Sequence, residues 1–588
     1  MSRLSHVSKF AFIPLVGLTL LPLLLVIGYV ATYGNPVPVG DQWWDVGYIA
    51  VKTRAGLLTL DDLFMYFSGH RPLLIRLHTV LMTLLTNYDA RLLNYMAIVN
   101  ALLNVGLATL LLRGQRRALA LFALPVFALV ILTLYHPDSW LDYYFAVWQQ
   151  PLFFLLVALL ILQRARPGFM ALAGMILCAV ATTFTLGLGL AAWVSVPIAI
   201  FADRRYRRPQ FLLAWGVAAG LCLGFYFSGN ARDPNEVAGS AFSLATLRQL
   251  DPLQTSAYLI QFQSNRFETG SLNAVAMILA VACIVTLCAN AWLVMRQEGN
   301  AKTVAIWLSL AAFALGGAIL TALGRGLSFP AAPRYSPGAD GFWIAFVALA
   351  VLALMLRPKP MRVAINGVLL CAIVVLTIQK NVWSVTQPDD SFPPSCDQCV
   401  LDAPLAVDGC FRACFVWSED QSVYHFAALR LSVFGDVTPI SIVPDNDSPV
   451  LITMPHRWLS VYVRDYVLAG IPATLQTHIA PLQGDWQLPK EPYSPYYRGE
   501  WDPATFPNPL SGIYESADPV IATLPTLLAD HSHVWVLSMP DSAVSADSLA
   551  IALGDLGLEN RPIPVTLPGR LQMTCFERQA TGACDQSW

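Results

Sequence analysis

Asp41 stands just beyond a long apolar run, followed by Trp43 and Trp44 and by a second carboxylate, Asp45. Later polar stretches carry Asp138, Asp142 and Trp148-Gln149, then Arg325 and Arg334-Tyr335, while His70-Arg71 lies between the first stretch and these. A carboxylate can take the proton from a hydroxyl within hydrogen-bonding reach. Arginine offers phosphate a planar fork of donors. An indole ring can cover the apolar face of a sugar. These types suit transfer of a sugar carried on a phosphate. Asp41 or Asp45 would be the base, and His70, Arg71, Arg325, Arg334 and Tyr335 would hold the leaving phosphate. Trp43, Trp44, Asp138, Asp142, Trp148 and Gln149 would contact sugar or acceptor. Each residue also has a plainer role. Asp41 can cap a helix, Trp148 can belong to an interfacial aromatic belt, and the outer arginines can snorkel. Asp61 and Asp62 suit the first turn of a short helix, 60–67, where the helix dipole favours acids, with Thr59 and Asp62 spaced as a capping box.

The apolar runs must position these residues. The 588-residue chain is 56% hydrophobic and 13% charged, with mean hydropathy +0.55. Soluble chains carry about 25% charged residues. The net charge of -2 gives no basic footprint for nucleic acid. A membrane span needs about 20 apolar residues. The run 10–31 meets this, without an evident cleavage site, and reads as a signal anchor. Further runs at 91–112, 118–135, 145–162, 168–184, 187–202, 211–228, 272–295, 303–323, 341–356 and 363–380 bring the total to about 11 spans. Basic clusters fall at alternate connections: Arg3/Lys9, Arg113/Arg116/Arg117, Arg164/Arg166, Arg204/Arg205/Arg207/Arg208, Arg296/Lys302 and Arg357/Lys359/Arg362. The positive-inside rule places all six in the cytoplasm. The segment Pro72 to Thr86 then cannot cross and reads as a helix at the outer interface. Gly187 to Trp193 (GLGLAAW) reads as close helix packing rather than a phosphate loop.

This predicts a mainly α polytopic domain over 1–380, with a first outer loop at 32–90 carrying two interfacial helices. A tail over 381–588, on the outer side, is predicted as an α/β or α+β domain. Strands are expected at His533–Met539 and Leu571–Arg578, helices at Ser545–Leu556 and Tyr462–Ala469, and an irregular loop near 481–511. Gly557 is placed to end the first of those helices. Five cysteines (Cys178, Cys222, Cys283, Cys288, Cys371) lie in spans and read as small buried groups. Cys396, Cys399, Cys410, Cys414, Cys575 and Cys584 lie in the tail, an even set that suits disulfides outside the cell. Local pairs and a zinc site from the first four are the alternatives.

Taken in order, Asp41-Gln42-Trp43, His70-Arg71, Trp148-Gln149, Arg325 and Arg334-Tyr335 resemble the GT-C superfamily of integral-membrane glycosyltransferases. More narrowly, the chain is similar to bacterial O-antigen and surface-glycan glucosyltransferase-like membrane proteins. The resemblance implies a polyprenyl-phosphate-linked sugar as donor and Asp41 as general base, inverting the anomeric centre. It implies a glycan, lipid or exported-protein acceptor, and an inner-membrane enzyme with cytoplasmic N-terminus and periplasmic tail. No cofactor follows from the residues. Some relatives use a divalent ion (Mg or Mn). The four-residue spacing of Asp41 and Asp45 departs from the adjacent acidic pair common in that superfamily. The rival classes are a flippase or transporter and a polymerase or ligase of lipid-linked glycans. A transporter favours ionisable groups inside its spans, and these spans are nearly free of them.

Overall fold

The computed structural model describes residues 9–34, 36, 38, 42, 45–54, 56–66, 70–115, 117–134, 138–142, 147–228, 251–267, 272–298, 301–325, 333–356, 359–386, 450–453, 533–538, 546–562 and 572–578. The chain divides into two compact units. One comprises Met1–Asn35, Leu58–Leu81 and Ala90–Pro394; the other comprises Pro36–Leu57, Met82–Asp89 and Ser395–Trp588.

The helices are α1 (Lys9–Tyr33), α2 (Val46–Arg54), α3 (Leu60–Phe64), α4 (Leu73–Thr86), α5 (Ala90–Gln115), α6 (Arg117–Ile131), α7 (Asp138–Leu141), α8 (Gln150–Arg164), α9 (Phe169–Thr183) and α10 (Ala192–Ala202). They continue with α11 (Pro209–Phe227), α12 (Pro252–Ser264), α13 (Asn273–Glu298), α14 (Ala301–Arg325), α15 (Asp340–Leu354) and α16 (Pro360–Thr386). A helix occupies each of the apolar runs read from sequence. Among the described residues seven segments are long and apolar enough to cross a membrane by length and composition: α1, α5, α11, α13, α14, α16, and α15 taken with the 3-10 turn before it (Tyr335–Leu354). The helices α6, α8, α9 and α10 are shorter. The result is a polytopic α-helical membrane protein. Its outward-facing side chains agree: Leu24 is 62% exposed, Leu221 72% and Ile278 70%, as lipid-facing residues should be. By contrast α15 is buried almost throughout, which makes it the central helix of the first unit.

Local sequence explains several boundaries. The helix α8 begins at Gln150, not 145, because Pro151 fits only the first turn. The run 187–202 opens as a 3-10 turn, Gly187–Ala191, before α10. Its glycines allow close packing. A Cβ on Gly189 would lie 1.9 Å from the Thr182 carbonyl oxygen, and one on Gly316 of α14 would lie 2.9 Å from the Ala191 Cβ.

The basic ends converge. Arg164 donates to the Leu110 carbonyl at 3.0 Å and Gln163 to that of Leu111 at 2.9 Å, tying α8 to α5. Lys302 donates to the Leu162 carbonyl at 3.0 Å, and Trp307 Nε1 donates to Gln115 Oε1 at 2.9 Å. Lys302 also pairs with Asp203 at 2.8 Å, beside the arginines at 204–208, so four of the predicted cytoplasmic clusters belong to the same end of this unit.

Two sequence expectations need correction. Cys178, Cys222 and Cys283 are buried free thiols, but Cys288 and Cys371 are exposed, because they fall on the outer faces of α13 and α16. The helix expected at 60–67 stops at Phe64, for a reason that belongs to the site.

In the second unit, α2 lies within 32–90, the predicted first outer loop, where two helices were expected and three occur among the described residues. The tail contains β1 (Val450–Thr453), β2 (His533–Ser538), α17 (Ala546–Asp555), β3 (Leu558–Pro562) and β4 (Gln572–Arg578). The sheet order is β1-β2-β4-β3, with β1 parallel to β2 and the other pairings antiparallel. Gly557, at φ +79°, takes the left-handed conformation just after α17, as a helix-ending glycine does. Cys575, fully buried in β4, is disulfide-bonded. The other five tail cysteines, the 462–469 helix and the 481–511 loop lie outside the described residues.

Candidate functional site

Within the first unit, the ends opposite the basic clusters carry His70, Arg71, Trp148 and Tyr335 of the polar residues singled out by sequence. Thr59 and Asp62 form the capping box of α3. The Asp62 carboxylate accepts from Thr59 N at 2.8 Å and from its hydroxyl at 2.7 Å, while Asp62 N donates to Thr59 Oγ1 at 3.3 Å. Asp62 is thus a cap.

The far end of α3 is taken by two arginines. Fully buried Arg76 donates through one guanidinium nitrogen to the carbonyls of Asp62 at 3.1 Å, Leu63 at 3.2 Å and Met65 at 2.5 Å. Arg71 donates to the Phe64 carbonyl at 2.5 Å, to that of Tyr226 at 2.8 Å and to that of Ser228. Its guanidinium also lies 5.7 Å from the Tyr66 ring and 5.6 Å from that of Phe225. Helix C-terminal carbonyls lack intrahelical donors and carry partial negative charge. Arg71 satisfies those of both α3 and α11. This capture ends α3 at Phe64.

His70 is fixed alongside. Gly187 N donates to His70 Nδ1 at 3.2 Å, so in the neutral ring the proton resides on Nε2. A Cβ on Gly187 would lie 2.6 Å from that Nδ1. The start of α4 is tied to the end of α9 by Leu74 N donating to the Phe184 carbonyl at 3.2 Å. The 14 residues of α4 span about 21 Å at 1.5 Å each, short of a bilayer core of about 30 Å. Leu77, Leu81, Leu84 and Leu85 are exposed on it, whereas Arg76, Thr79 and Thr83 are buried.

The second outer loop, between α6 and α8, is gripped through its backbone. Asn94 donates to the Leu141 carbonyl at 3.1 Å and Asn104 to that of Gln149 at 2.9 Å. Leu134 N donates to Asn381 Oδ1 at 2.7 Å, and Ser384 donates to the Leu134 carbonyl at 2.9 Å. Trp140 Nε1 donates to the Thr133 carbonyl at 2.8 Å, and Gln149 Nε2 to that of Ile131 at 3.2 Å. So polar groups within apolar helices serve to hold this loop.

The loop meets the 3-10 turn Pro333–Ala339. Trp148 stacks on Tyr335 with ring centroids 4.9 Å apart at 21°. A Cβ on Gly338 would lie 3.0 Å from Phe262 and 3.3 Å from Trp148, so only glycine fits without displacement. Behind the turn, Asp340 opens α15 and pairs with Arg266 at 3.1 Å, both at 0% exposure. Arg266 also donates to the Val130 carbonyl and lies 3.4 Å from Thr133 Oγ1. Its guanidinium is 5.5 Å from the Phe267 ring and 5.7 Å from that of Trp343. The pair joins the root of the second outer loop to the root of the fourth.

Of the residues chosen from sequence, the structure brings Trp148 and Tyr335 together and sets His70-Arg71 against the ends of α9 and α11. Asp142 is buried just after α7. Asp138 opens α7, Arg325 closes α14 and Arg334 lies in the 3-10 turn; for these three the description stops at the backbone. Asp41, Trp43 and Trp44 lie outside the described residues. Asp45, in the second unit, is fully buried, and its carbonyl accepts from Ile49 N at 3.1 Å at the start of α2. Sequence reasoning did not pair Arg266 with Asp340, 74 positions apart. The signal present was an arginine and an aspartate each flanking an apolar run. Among the described residues no group of three or more His, Cys, Asp or Glu gathers as a metal site would.

Among family models none matches the chain, and among curated proteins none does. Among solved structures the chain is similar to ArnT from Cupriavidus metallidurans in the apo state, at 14% identity and TM-score 0.37, covering 96% of this chain and 98% of that one. It is similar to the same protein bound to undecaprenyl phosphate, at 13% identity and TM-score 0.38, covering 98% and 99%. It is also similar to the archaeal oligosaccharyltransferase AglB from Archaeoglobus fulgidus, in complex with an inhibitory peptide and a dolichol-phosphate. There the identity is 13% and the TM-score 0.41, covering 97% of this chain and 75% of that one.

Proposed function

We propose that this protein is a membrane glycosyltransferase of GT-C type that moves a single sugar from a polyprenyl-phosphate carrier to an acceptor outside the cytoplasm. The observation that carries this reading is the meeting of two outer loops. Trp148 of the second stacks on Tyr335, which directly follows Arg334 in the fourth, so a phosphate-binding arginine is held on a fixed turn.

The roles follow from chemistry. Asp41 takes the proton of the acceptor hydroxyl, and the sugar's anomeric carbon is displaced directly, with inversion. Asp45, fully buried, supports that loop. Arg325 and Arg334 stabilise the leaving phosphate, with His70 as a further contact. Arg71 already gives three hydrogen bonds to helix-end carbonyls, so its principal role is to hold the outer ends in register. Trp43 and Trp44 cover the sugar, Asp138 and Asp142 face the acceptor, and the buried Trp148 and Gln149 position the loop. The leucine face of α4 rests in the outer leaflet, where the carrier's chain resides. A magnesium or manganese ion is compatible with Asp41 and Asp45, and none of these steps depends on one.

The test uses purified protein in nanodiscs with a polyprenyl-phosphate-linked hexose and a cell-envelope extract as acceptor, and measures release of polyprenyl phosphate together with sugar gained by the extract, with and without chelator. Wild type is expected to release it, Arg334→Gln to lower kcat/KM by about tenfold, the equivalent of about 1.4 kcal/mol, and Asp41→Asn to abolish turnover. Equal turnover by wild type and both variants refutes the assignment. Movement of intact carrier across the membrane without release favours a flippase instead.

A further inference from the structure

Four arginines, Arg204, Arg205, Arg207 and Arg208, crowd the short turn between α10 and α11. They are not equivalent. Asp203, 5% exposed, receives Arg205 Nε at 3.0 Å and its terminal nitrogen at 2.8 Å, and Lys302 Nζ at 2.8 Å. Burial alone would raise the Asp203 pKa, but the bonds from Arg205 and Lys302 outweigh it and hold the carboxyl well below the usual range. Arg205 N also donates to Asp203 Oδ1 at 3.1 Å, and the amide of Tyr206, at 0% exposure, donates to the Asp203 carbonyl at 2.9 Å. The turn is therefore anchored from within by Asp203 and Tyr206.

Anchoring it this way leaves Arg204, Arg207 and Arg208 exposed. Among the described residues none of the three pairs with a carboxylate. Arg207 Nε donates to the Phe201 carbonyl, and the Arg208 guanidinium lies 6.0 Å from the Phe211 ring. Phe211 in turn meets Phe169 edge-to-face at 5.2 Å. Phe169 is 60% exposed, Met170 87% and Phe201 51%. Three cations without a carboxylate partner thus border an exposed apolar lip where α9 begins, α10 ends and the membrane-length α11 begins. Such a border suits a molecule with an anionic head and apolar tails. Arginine's fork fits phosphate, and the apolar side chains fit acyl chains.

We propose that the turn 203–208, with Phe169, Met170 and Phe201, is a binding site for an anionic phospholipid of the adjoining leaflet. The reading does not depend on the transferase function. Basic side chains near an anionic surface each contribute measurably, and the attraction falls within a Debye length.

The experiment places the purified full chain in nanodiscs of phosphatidylcholine with a minor fraction of labelled phosphatidylglycerol and measures protein-bound label. Wild type is expected to enrich phosphatidylglycerol on the order of tenfold over phosphatidylcholine, and to lose most of that enrichment between about 0.05 and 0.5 M salt. Arg204→Gln/Arg207→Gln/Arg208→Gln is expected to lose it at low salt, while Arg205→Gln, whose charge faces Asp203, retains it. Soluble glycerol phosphate at millimolar concentration does not displace the lipid if the apolar lip takes part. Salt-independent enrichment in wild type overturns the proposal without recourse to any variant. Equal enrichment by wild type and the triple variant overturns it too, as does an Arg205→Gln loss equal to that of the triple, or displacement by glycerol phosphate.

Discussion

Asp340→Asn preserves the shape of the side chain and removes its charge. Arg266 would then be a cation at 0% exposure that keeps its bond to the Val130 carbonyl and its approach to the Thr133 hydroxyl. Removing one member of a buried ion pair costs about 3–5 kcal/mol, because the other charge is left uncompensated. These retained contacts place this substitution at the lower end, about 3 kcal/mol. Replacing both members by apolar residues of similar volume is often neutral. Arg266→Met/Asp340→Leu takes the Arg266 donor from the Val130 carbonyl, a cost of about 1–3 kcal/mol. The double variant should therefore be as stable as the single or more so. Thermal unfolding in detergent, followed by intrinsic tryptophan fluorescence, measures both. A single variant within 1 kcal/mol of wild type refutes the reasoning, as does a double variant whose loss equals the sum of the two singles.

Other outcomes follow from the same geometry. Arg71→Lys should destabilise by about 1.5–3 kcal/mol, since an ammonium cannot reproduce the fork that serves the Phe64, Tyr226 and Ser228 carbonyls; an unchanged melting temperature would show the clamp to be dispensable. Gly189→Ala should prevent correct folding, because its Cβ would meet the Thr182 carbonyl oxygen at 1.9 Å, whereas Gly220→Ala, with nothing within 4 Å, should be neutral or stabilising by up to about 1 kcal/mol. Size-exclusion profiles of the two variants check this directly. Burial lowers the His78 pKa from 6.5, so the unfolded chain binds this proton more readily than the folded one. That stability is fully present above pH 6.5 and declines as pH falls below 6.5 toward the folded value; melting temperatures from pH 8 to 5 should show the decline in wild type and less of it in His78→Gln.

Periodicity and capping chemistry made much of the fold legible. The uncharged runs became helices because a segment in lipid must satisfy its own backbone. Thr59 and Asp62 announced α3 by their spacing. The length of α3 was not legible, because Arg71 and Arg76, which end it, act from beyond its own sequence. Strand β3 (LENRP) lacks apolar alternation and closes on a proline, features that an edge strand tolerates, so its pairing with β4 decides what local pattern does not. At the site, residue types flagged Trp148 and Tyr335 separately. Their stacking, and the ion pair behind them, depend on tertiary proximity across more than 70 residues. Asn94 and Asn104, polar residues inside an apolar helix, hold the loop between α6 and α8 by its carbonyls, a role that only the tertiary fold gives them.

The most direct test of the central claim compares cells carrying wild-type protein with cells carrying Asp41→Asn at matched membrane levels, by mass spectrometry of surface glycans and exported proteins. The account predicts loss of one defined sugar mass in the variant while the polyprenyl-phosphate-linked donor persists. An unchanged profile, in a background where deleting the whole gene removes that sugar, would contradict Asp41 as the base.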